Sequence, residues 1–271
     1  MSGLDVEAVL TSDRDDALRV WTLRDLYPVA PLPAPRTVIL LPGGSYVARI
    51  RRVHWRLAAW LARSGATVRV VLYPLAPRAT AAAVVPAVAD YIAAQVRAHG
   101  AGTVAVVGDS AGGGLALAAV QRLAAEDRPA RLVLVSPWLD VAVDDPRSLV
   151  TRDAMLGVER LRAAGRLWAG ELPVDDPLVS PLAGDLDGLP ATTVYSGTAD
   201  LLHPDAIRLA ERAEVQLVLR EGLMHGWPIA AGIPEARRER AALLRAVLGE
   251  DSGEDDGQNS SEDSSEDRDD G

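Results

Sequence analysis

One stretch limits what this chain can fold into more than any other: Val104-Ala105-Val106-Val107-Gly108-Asp109-Ser110-Ala111-Gly112-Gly113-Gly114. An apolar run enters it, and an alanine-rich run, Leu115 to Ala125, leaves it. That pattern reads as a strand, a sharp turn and a helix, with Ser110 at the apex. Such a turn holds the serine in a cramped backbone conformation, so the residues two before and two after must lack a side chain. Gly108 and Gly112 meet that demand. Gly-x-Ser-x-Gly alone is a common pattern; the strand before it and the helix after it make Ser110 a candidate nucleophile.

The chain has 271 residues, 48% of them hydrophobic, enough to bury a sizeable core within one large α/β domain. There is no cysteine, which excludes disulfides, thiolate metal sites and cysteine nucleophiles. Four histidines with no His-x-x-x-His pair argue against a metal centre. Met1 to Arg19 is acidic and lacks the apolar core of a signal peptide. Nothing approaches the run of about 18 apolar residues that a membrane span requires, so a cytoplasmic protein is expected. The net charge of −10 is local: Glu250 to Gly271 carries 11 acidic residues and one basic residue, Arg268. The body is balanced, with 27 acids and 27 arginines, and offers no basic face for nucleic acid.

Taken in order, Met1 to Pro35 is poorly patterned, with a weak edge strand at Ala17 to Leu23 and a proline-rich linker from Tyr27 to Pro35. Thr37 to Leu41 is a continuous apolar run, the mark of a strand buried on both faces. A helix over Arg51 to Ser64, a strand over Ala66 to Tyr73 and a helix over Ala81 to His99 precede the Ser110 turn. Beyond it, strands are expected at Leu132 to Val135, Thr192 to Tyr195 and Val215 to Leu219. Helices are expected at Val158 to Ala169, Asp205 to Ala213 and Pro234 to Leu248. The alternation implies a mostly parallel central sheet flanked by helices, an α/β fold over residues 1–249. Val141 to Leu189 has no strand pattern and reads as a lid-like insertion. Residues 250–271 hold no apolar side chain and read as a disordered, solvating tail.

A serine hydroxyl is a poor nucleophile near neutral pH and needs an adjacent base, usually histidine oriented by a carboxylate. When serine sits on a strand-to-helix elbow, the acid and then the histidine follow on loops after later strands. His225, after the last strand and between Met224 and Gly226, is in the place of the base. Asp200, soon after the Thr192 to Tyr195 strand, is the better candidate acid; Asp205 resembles the N-cap of the next helix. His203 is a rival base that lies within the acid's own loop. The oxyanion needs backbone N–H donors, expected from Ala111 and from Gly43 and Gly44 in Pro42-Gly43-Gly44-Ser45.

These residues resemble one family, the hormone-sensitive-lipase-like group of α/β-hydrolases, in its acetyl-hydrolase and short-chain esterase branch. Gly108 to Gly113 matches its Gly-Asp-Ser-Ala-Gly-Gly elbow. Tyr73-Pro74-Leu75-Ala76-Pro77, Ser136-Pro137-Trp138-Leu139-Asp140 and Asp176-Pro177-Leu178-Val179-Ser180-Pro181-Leu182 are similar to further family segments, in order. The resemblance implies an α/β-hydrolase fold from Arg36 to about Leu248. Two departures stand out. The family's oxyanion loop usually reads His-Gly-Gly-Gly, its histidine propping the loop by hydrogen bonding, whereas this chain has Pro42 and Ser45 at the ends. Members often carry a helical cap ahead of the first strands, and only roughly 35 residues precede Thr37 here, which implies a reduced N-terminal cap and a small, open pocket.

The expected activity is hydrolysis of small carboxylic esters through an acyl-enzyme, with no cofactor and no metal. An amidase or arylformamidase using the same triad, or a non-catalytic binding protein on the same fold, are the alternatives. Tyr46, Trp138, Met224 and Trp227 stand where they would line the pocket or pack the core. A small-molecule ester is the expected partner, and the chain is a monomer or a homodimer.

Overall fold

The computed structural model describes residues 4–10, 18–25 and 36–249. The chain runs β1 (Leu4–Leu10), β2 (Arg19–Asp25), β3 (Thr37–Leu41), α1 (Arg52–Arg63), β4 (Thr67–Leu72), α2 (Ala81–His99), β5 (Val104–Asp109) and α3 (Ala111–Gln121). It continues through β6 (Arg131–Val135), α4 (Pro146–Val150), α5 (Val158–Ala169), β7 (Ala191–Gly197), α6 (His203–Arg212), β8 (Gln216–Arg220) and α7 (Pro234–Leu248). The strands form one eight-stranded sheet in the order β1-β2-β4-β3-β5-β6-β7-β8. β1 and β2 run antiparallel, as do β2 and β4, and the pairs from β4 through to β8 are parallel.

Every residue of β3 and β5 is buried, as their unbroken apolar runs require of strands covered on both faces. Alternate side chains serve two separate cores. Ile39, Leu41, Val106, Leu132 and Leu134 face α2 and α3, meeting Val84, Ile92, Leu115 and Leu117. Val38, Leu40, Ala105, Val107 and Val133 face α1 and α7, meeting Leu57, Leu61, Leu243 and Val247. Each Val, Leu or Ile among them contributes about 1.5–3 kcal/mol on leaving water, so the two layers hold the carboxyl ends of β3, β5, β7 and β8 in fixed relation. Those ends carry the loops that matter chemically.

The N-terminal segment departs from the sequence reading. β2 begins and ends two residues later than the expected edge strand, and it is not an edge, because β1 pairs along its whole length from Leu4 opposite Asp25 to Leu10 opposite Arg19. Asp5, Val6, Glu7 and Ala8 are exposed in succession, so this part of β1 shows no alternation of buried and exposed side chains. Its ordering comes from the ladder. The Tyr27 to Pro35 linker and the 250–271 tail lie outside the described residues. In the 141–189 insertion, α5 turns Leu161, Ala164 and Trp168 inward, and Trp168 stacks on Tyr46 with centroids 4.0 Å apart and planes within 1°.

Candidate active site

The elbow is built as its glycines require. Ser110 has φ 53° and ψ −123°, a conformation that costs a non-glycine residue about 1–3 kcal/mol. A Cβ on Gly108 would sit 2.3 Å from the Gly112 carbonyl oxygen, and one on Gly112 would sit 2.0 Å from that of Leu41. Backbone contact that close leaves room only for hydrogen. Ser110 N–H donates to the Val135 carbonyl at 2.9 Å, and Trp138 N–H donates back to the Ser110 carbonyl at 3.0 Å. The Ser110 backbone is therefore stitched to the end of β6 and the loop after it.

Asp200 and His225 come together from the loops after β7 and β8. His225 Nδ1 lies 3.0 Å from Asp200 Oδ1, with Asp200 fully buried and His225 nearly so. Asp200 Oδ1 also accepts from Leu202 N–H at 2.9 Å. Burial works against the imidazolium of His225, yet the charge and hydrogen bond of Asp200 outweigh it, with Asp109 and Asp153 adding, so its pKa is raised above 6.5. The loop is held on several sides. Gly226 N–H donates to Ser136 Oγ at 2.9 Å, and the Trp227 indole donates to the Ser196 carbonyl at 3.1 Å. The insertion joins in: Asp153 accepts from Leu201 N–H at 2.9 Å, next to the acid itself.

His203 turns away from this pair, its Nδ1 on the Asp200 carbonyl at 2.8 Å. Asp205 is not an N-cap, since α6 begins at His203 with Leu202 before it. It is buried and accepts from Leu139 N–H at 2.9 Å and Asp140 N–H at 3.0 Å, tying α6 to the loop after β6.

Ser110, His225, Gly43, Gly44, Ser45, Asp109 and His54 border one cavity of about 520 Å³. Its remaining wall includes Met155, Leu156, Leu161, Ala164, Met224 and Ile229, so it is mainly apolar. Met224 lines it as expected by position. Tyr46, Trp138 and Trp227 do not; each is buried in the core, at 1%, 0% and 0% exposure. A bulky ring beside a glycine loop carries no signal of which side it faces, and here Tyr46 is drawn into the stack with Trp168 and a 5.5 Å contact with Trp138. A larger depression of about 1240 Å³ lies at the β7–β8 edge, around Arg131, Arg212, Glu239 and Arg245, and borders neither Ser110 nor His225.

The oxyanion loop differs from expectation at one atom. Gly43 N–H donates to Asp109 Oδ1 at 3.0 Å and so cannot also aim at a substrate oxygen. Gly44 and Ser45 N–H have no partner among the described residues, and Ala111 is the first residue of α3, whose N–H has no intrahelical acceptor. Ser45 and Tyr46 both take positive φ, 51° and 62°, which swings the chain through the turn. The loop N–H groups without a partner among the described residues are therefore those of Gly44 and Ser45, one residue further along than Gly43 and Gly44. The sequence pointed to Gly43 and Gly44 because a missing side chain lets backbone approach a substrate, whereas the partner of Gly43 N–H, Asp109, lies 66 residues away and is not visible locally.

Among the described residues, no group of three or more His, Asp or Glu side chains is placed to hold a metal ion. No helix among them is long and apolar enough to cross a membrane.

Comparison with known proteins agrees with this geometry. The family model for the alpha/beta hydrolase fold matches residues 38–229. The chain is 41% identical over 204 residues to a triacylglycerol lipase of Mycobacterium tuberculosis, covering 72% of this chain but only 43% of that protein. It is 36% identical to an acetyl-hydrolase of Streptomyces hygroscopicus, covering 79% and 77%. A crystal structure of an esterase from the bacterial hormone-sensitive lipase family superposes with a TM-score of 0.76 at 28% identity, covering 92% of this chain and 86% of that one. The chain belongs to the α/β-hydrolase fold family, in its hormone-sensitive-lipase-like group.

Proposed function

We propose that this chain is a carboxylic ester hydrolase acting on small esters, with Ser110 as nucleophile, His225 as general base and acid, and Asp200 as the residue that orients the imidazole. The observation that carries the reading is a single apolar cavity bordered by Ser110 and His225, with His225 hydrogen-bonded on its far nitrogen to buried Asp200. With Nδ1 given to Asp200, Nε2 is the nitrogen free to take the Ser110 proton. Ser110 Oγ bonds to the acyl carbon, and the carbonyl oxygen becomes an anion facing the N–H groups of Gly44, Ser45 and Ala111. Collapse of that intermediate breaks the bond to the alcohol, which leaves with the proton held on His225. Water, deprotonated by His225, then attacks the acyl-serine and releases the acid.

The cavity of about 520 Å³, walled by Met155, Leu156, Leu161 and Ala164, has room for an acetyl or butyryl ester together with an apolar alcohol part. Turnover of p-nitrophenyl acetate, butyrate and palmitate by the wild type and Ser110→Ala tests the reading. Acetate or butyrate should be hydrolysed and the variant should lose all but a trace; turnover that survives Ser110→Ala would end it.

A further inference from the structure

The peptide plane between Pro42 and Gly43 is gripped on both sides. Its carbonyl oxygen accepts from the Tyr73 hydroxyl at 2.8 Å, and its N–H donates to Asp109 Oδ1 at 3.0 Å. Asp109 is held in turn: its other oxygen, Oδ2, lies 3.0 Å from His54 Nε2. His54 Nδ1 lies 3.0 Å from Arg51 N, and a backbone N–H can only donate, so Nδ1 accepts. In the neutral ring the proton is therefore on Nε2, where it donates to Asp109. The chain of bonds runs from the start of α1 through a buried histidine and the residue before the nucleophile into the oxyanion loop. His54 is 2% exposed, Asp109 8% and Tyr73 7%. None of the three has a part in the proton transfers of ester hydrolysis.

We propose that His54 and Tyr73 are positioning residues for the oxyanion hole, acting together on the Pro42–Gly43 peptide in place of a histidine within the loop itself. Pro42 has no side-chain donor and no N–H, so nothing local can set the tilt of that peptide. The tilt matters because the next two N–H groups, those of Gly44 and Ser45, are the ones left to face the substrate oxygen. With the plane clamped at both its polar atoms, rotation about it would break one strong hydrogen bond whichever way it turned. A donor held in place before reaction stabilises the developing charge without reorganisation, and the clamp supplies that preorganisation. Asp109 has a second consequence: as a carboxylate beside Ser110 it would repel the oxyanion if left bare, and donors on both of its oxygens draw its charge away from the site.

The proposal rests on the Ser110 esterase reading, so the experiment first establishes that wild-type butyrate hydrolysis is abolished in Ser110→Ala; without that result the reading itself falls, whatever the clamp does. Given it, kcat and KM are measured for His54→Phe, Tyr73→Phe, Asp109→Asn and the double variant His54→Gln, Asp109→Asn. Active sites are counted with a fluorophosphonate, so a poorly folded fraction does not enter the rate. The Ki of a trifluoromethyl ketone, whose adduct with serine carries an oxyanion, is measured beside that of a neutral product alcohol. The single variants should lose about 10–100-fold in kcat at near-constant KM, with the ketone weakened in step and the alcohol unchanged. Asp109→Asn alone would present an amide N–H to the His54 N–H, a clash of donors. In the double variant the new glutamine can turn its carbonyl to that amide while the asparagine carbonyl still accepts from Gly43 N–H, so much of the lost kcat should return. Should His54→Phe fail to fold, Tyr73→Phe and the double variant decide the matter. Unchanged kcat per active site in Tyr73→Phe and His54→Phe, or a loss that spares ketone affinity, would overturn the proposal.

Discussion

His225 Nδ1 and Asp200 Oδ1 stand 3.0 Å apart, with Asp200 at 0% exposure and His225 at 9%, its ring bordering the cavity. In the proposed mechanism the carboxylate holds the ring with Nε2 outward and stabilises the imidazolium that would form as Ser110 attacks. Asp200→Asn keeps the shape and removes both effects, because an amide can donate to Nδ1 and favour the wrong tautomer. Loss of about 10³–10⁴ in kcat on p-nitrophenyl butyrate is expected. The pH profile gives an independent check. Only neutral His225 can act as base, and its pKa is raised above 6.5. The acidic limb of kcat/KM should therefore lie above that value in the wild type and move down in Asp200→Asn. A limb that stays put would mean that another group titrates.

The two glycines of the elbow make a steric prediction. A methyl group on Gly112 would meet the Leu41 carbonyl oxygen at 2.0 Å, and neither the elbow nor β3 can move without parting the sheet. Gly112→Ala should cost more than about 3 kcal/mol and yield little soluble protein. Gly102 is a control in the short turn before β5, where an added Cβ would have nothing within 4 Å. Gly102→Ala should fold normally and gain up to about 1 kcal/mol by restricting the unfolded chain. Equal denaturation midpoints for the two variants would contradict the packing at the elbow.

The contrast between the elbow and the rest of the site explains what a sequence discloses. Gly108, Ser110 and Gly112 are legible because sterics allow few alternatives within five residues, and β3 and β5 are legible because burial on both faces demands unbroken apolar runs. Asp200 and His225 follow from chain order once the sheet is in view. β1 is not legible, since Asp5 to Ala8 are exposed in succession and give no period to detect, while the ladder to β2 aligns them. Tyr46 and Trp138 stood beside the right loops, and only the third partner, Trp168, more than 100 residues after Tyr46 in sequence, decides that they point into the core. The donation of Gly43 N–H to Asp109 is hidden for the same reason: it joins loops 66 residues apart.

The Tyr46–Trp168 stack links the insertion to the oxyanion loop, and it can be tested by stability. Trp168 is fully buried, and Trp168→Ala would empty the space against which Tyr46 lies. A loss of about 3–5 kcal/mol is expected in urea denaturation. Trp168→Phe keeps a ring for Tyr46 to stack on and should lose less than half as much. Since Tyr46 ends the Gly44-Ser45 turn, Trp168→Ala should also lower kcat in the fraction that stays folded. A small loss in both variants would show that α5 is held chiefly by its other contacts.

Asp205 supplies a test by pH. Burial is the largest influence on its carboxyl group and raises the pKa from 3.8 to about 7, against the two backbone N–H donors and Arg208, with the Asp140 charge adding to the rise. An acid with a raised pKa in the folded state favours its neutral form there. Its contribution to stability is complete below about pH 4 and is lost as pH rises through about 7. The expected loss is on the order of 2–4 kcal/mol between pH 5 and pH 8. Asp205→Asn is uncharged throughout and its carbonyl oxygen can accept from both Leu139 and Asp140 N–H. Any other group that titrates in this window does so in both proteins, so the difference between them isolates Asp205. Urea midpoints at pH 5 and pH 8 should show the variant modestly more stable than the wild type at pH 5 and further ahead at pH 8. Parallel curves across that range would mean that Arg208 and the two N–H groups hold Asp205 ionised, and that burial is not the dominant influence on it.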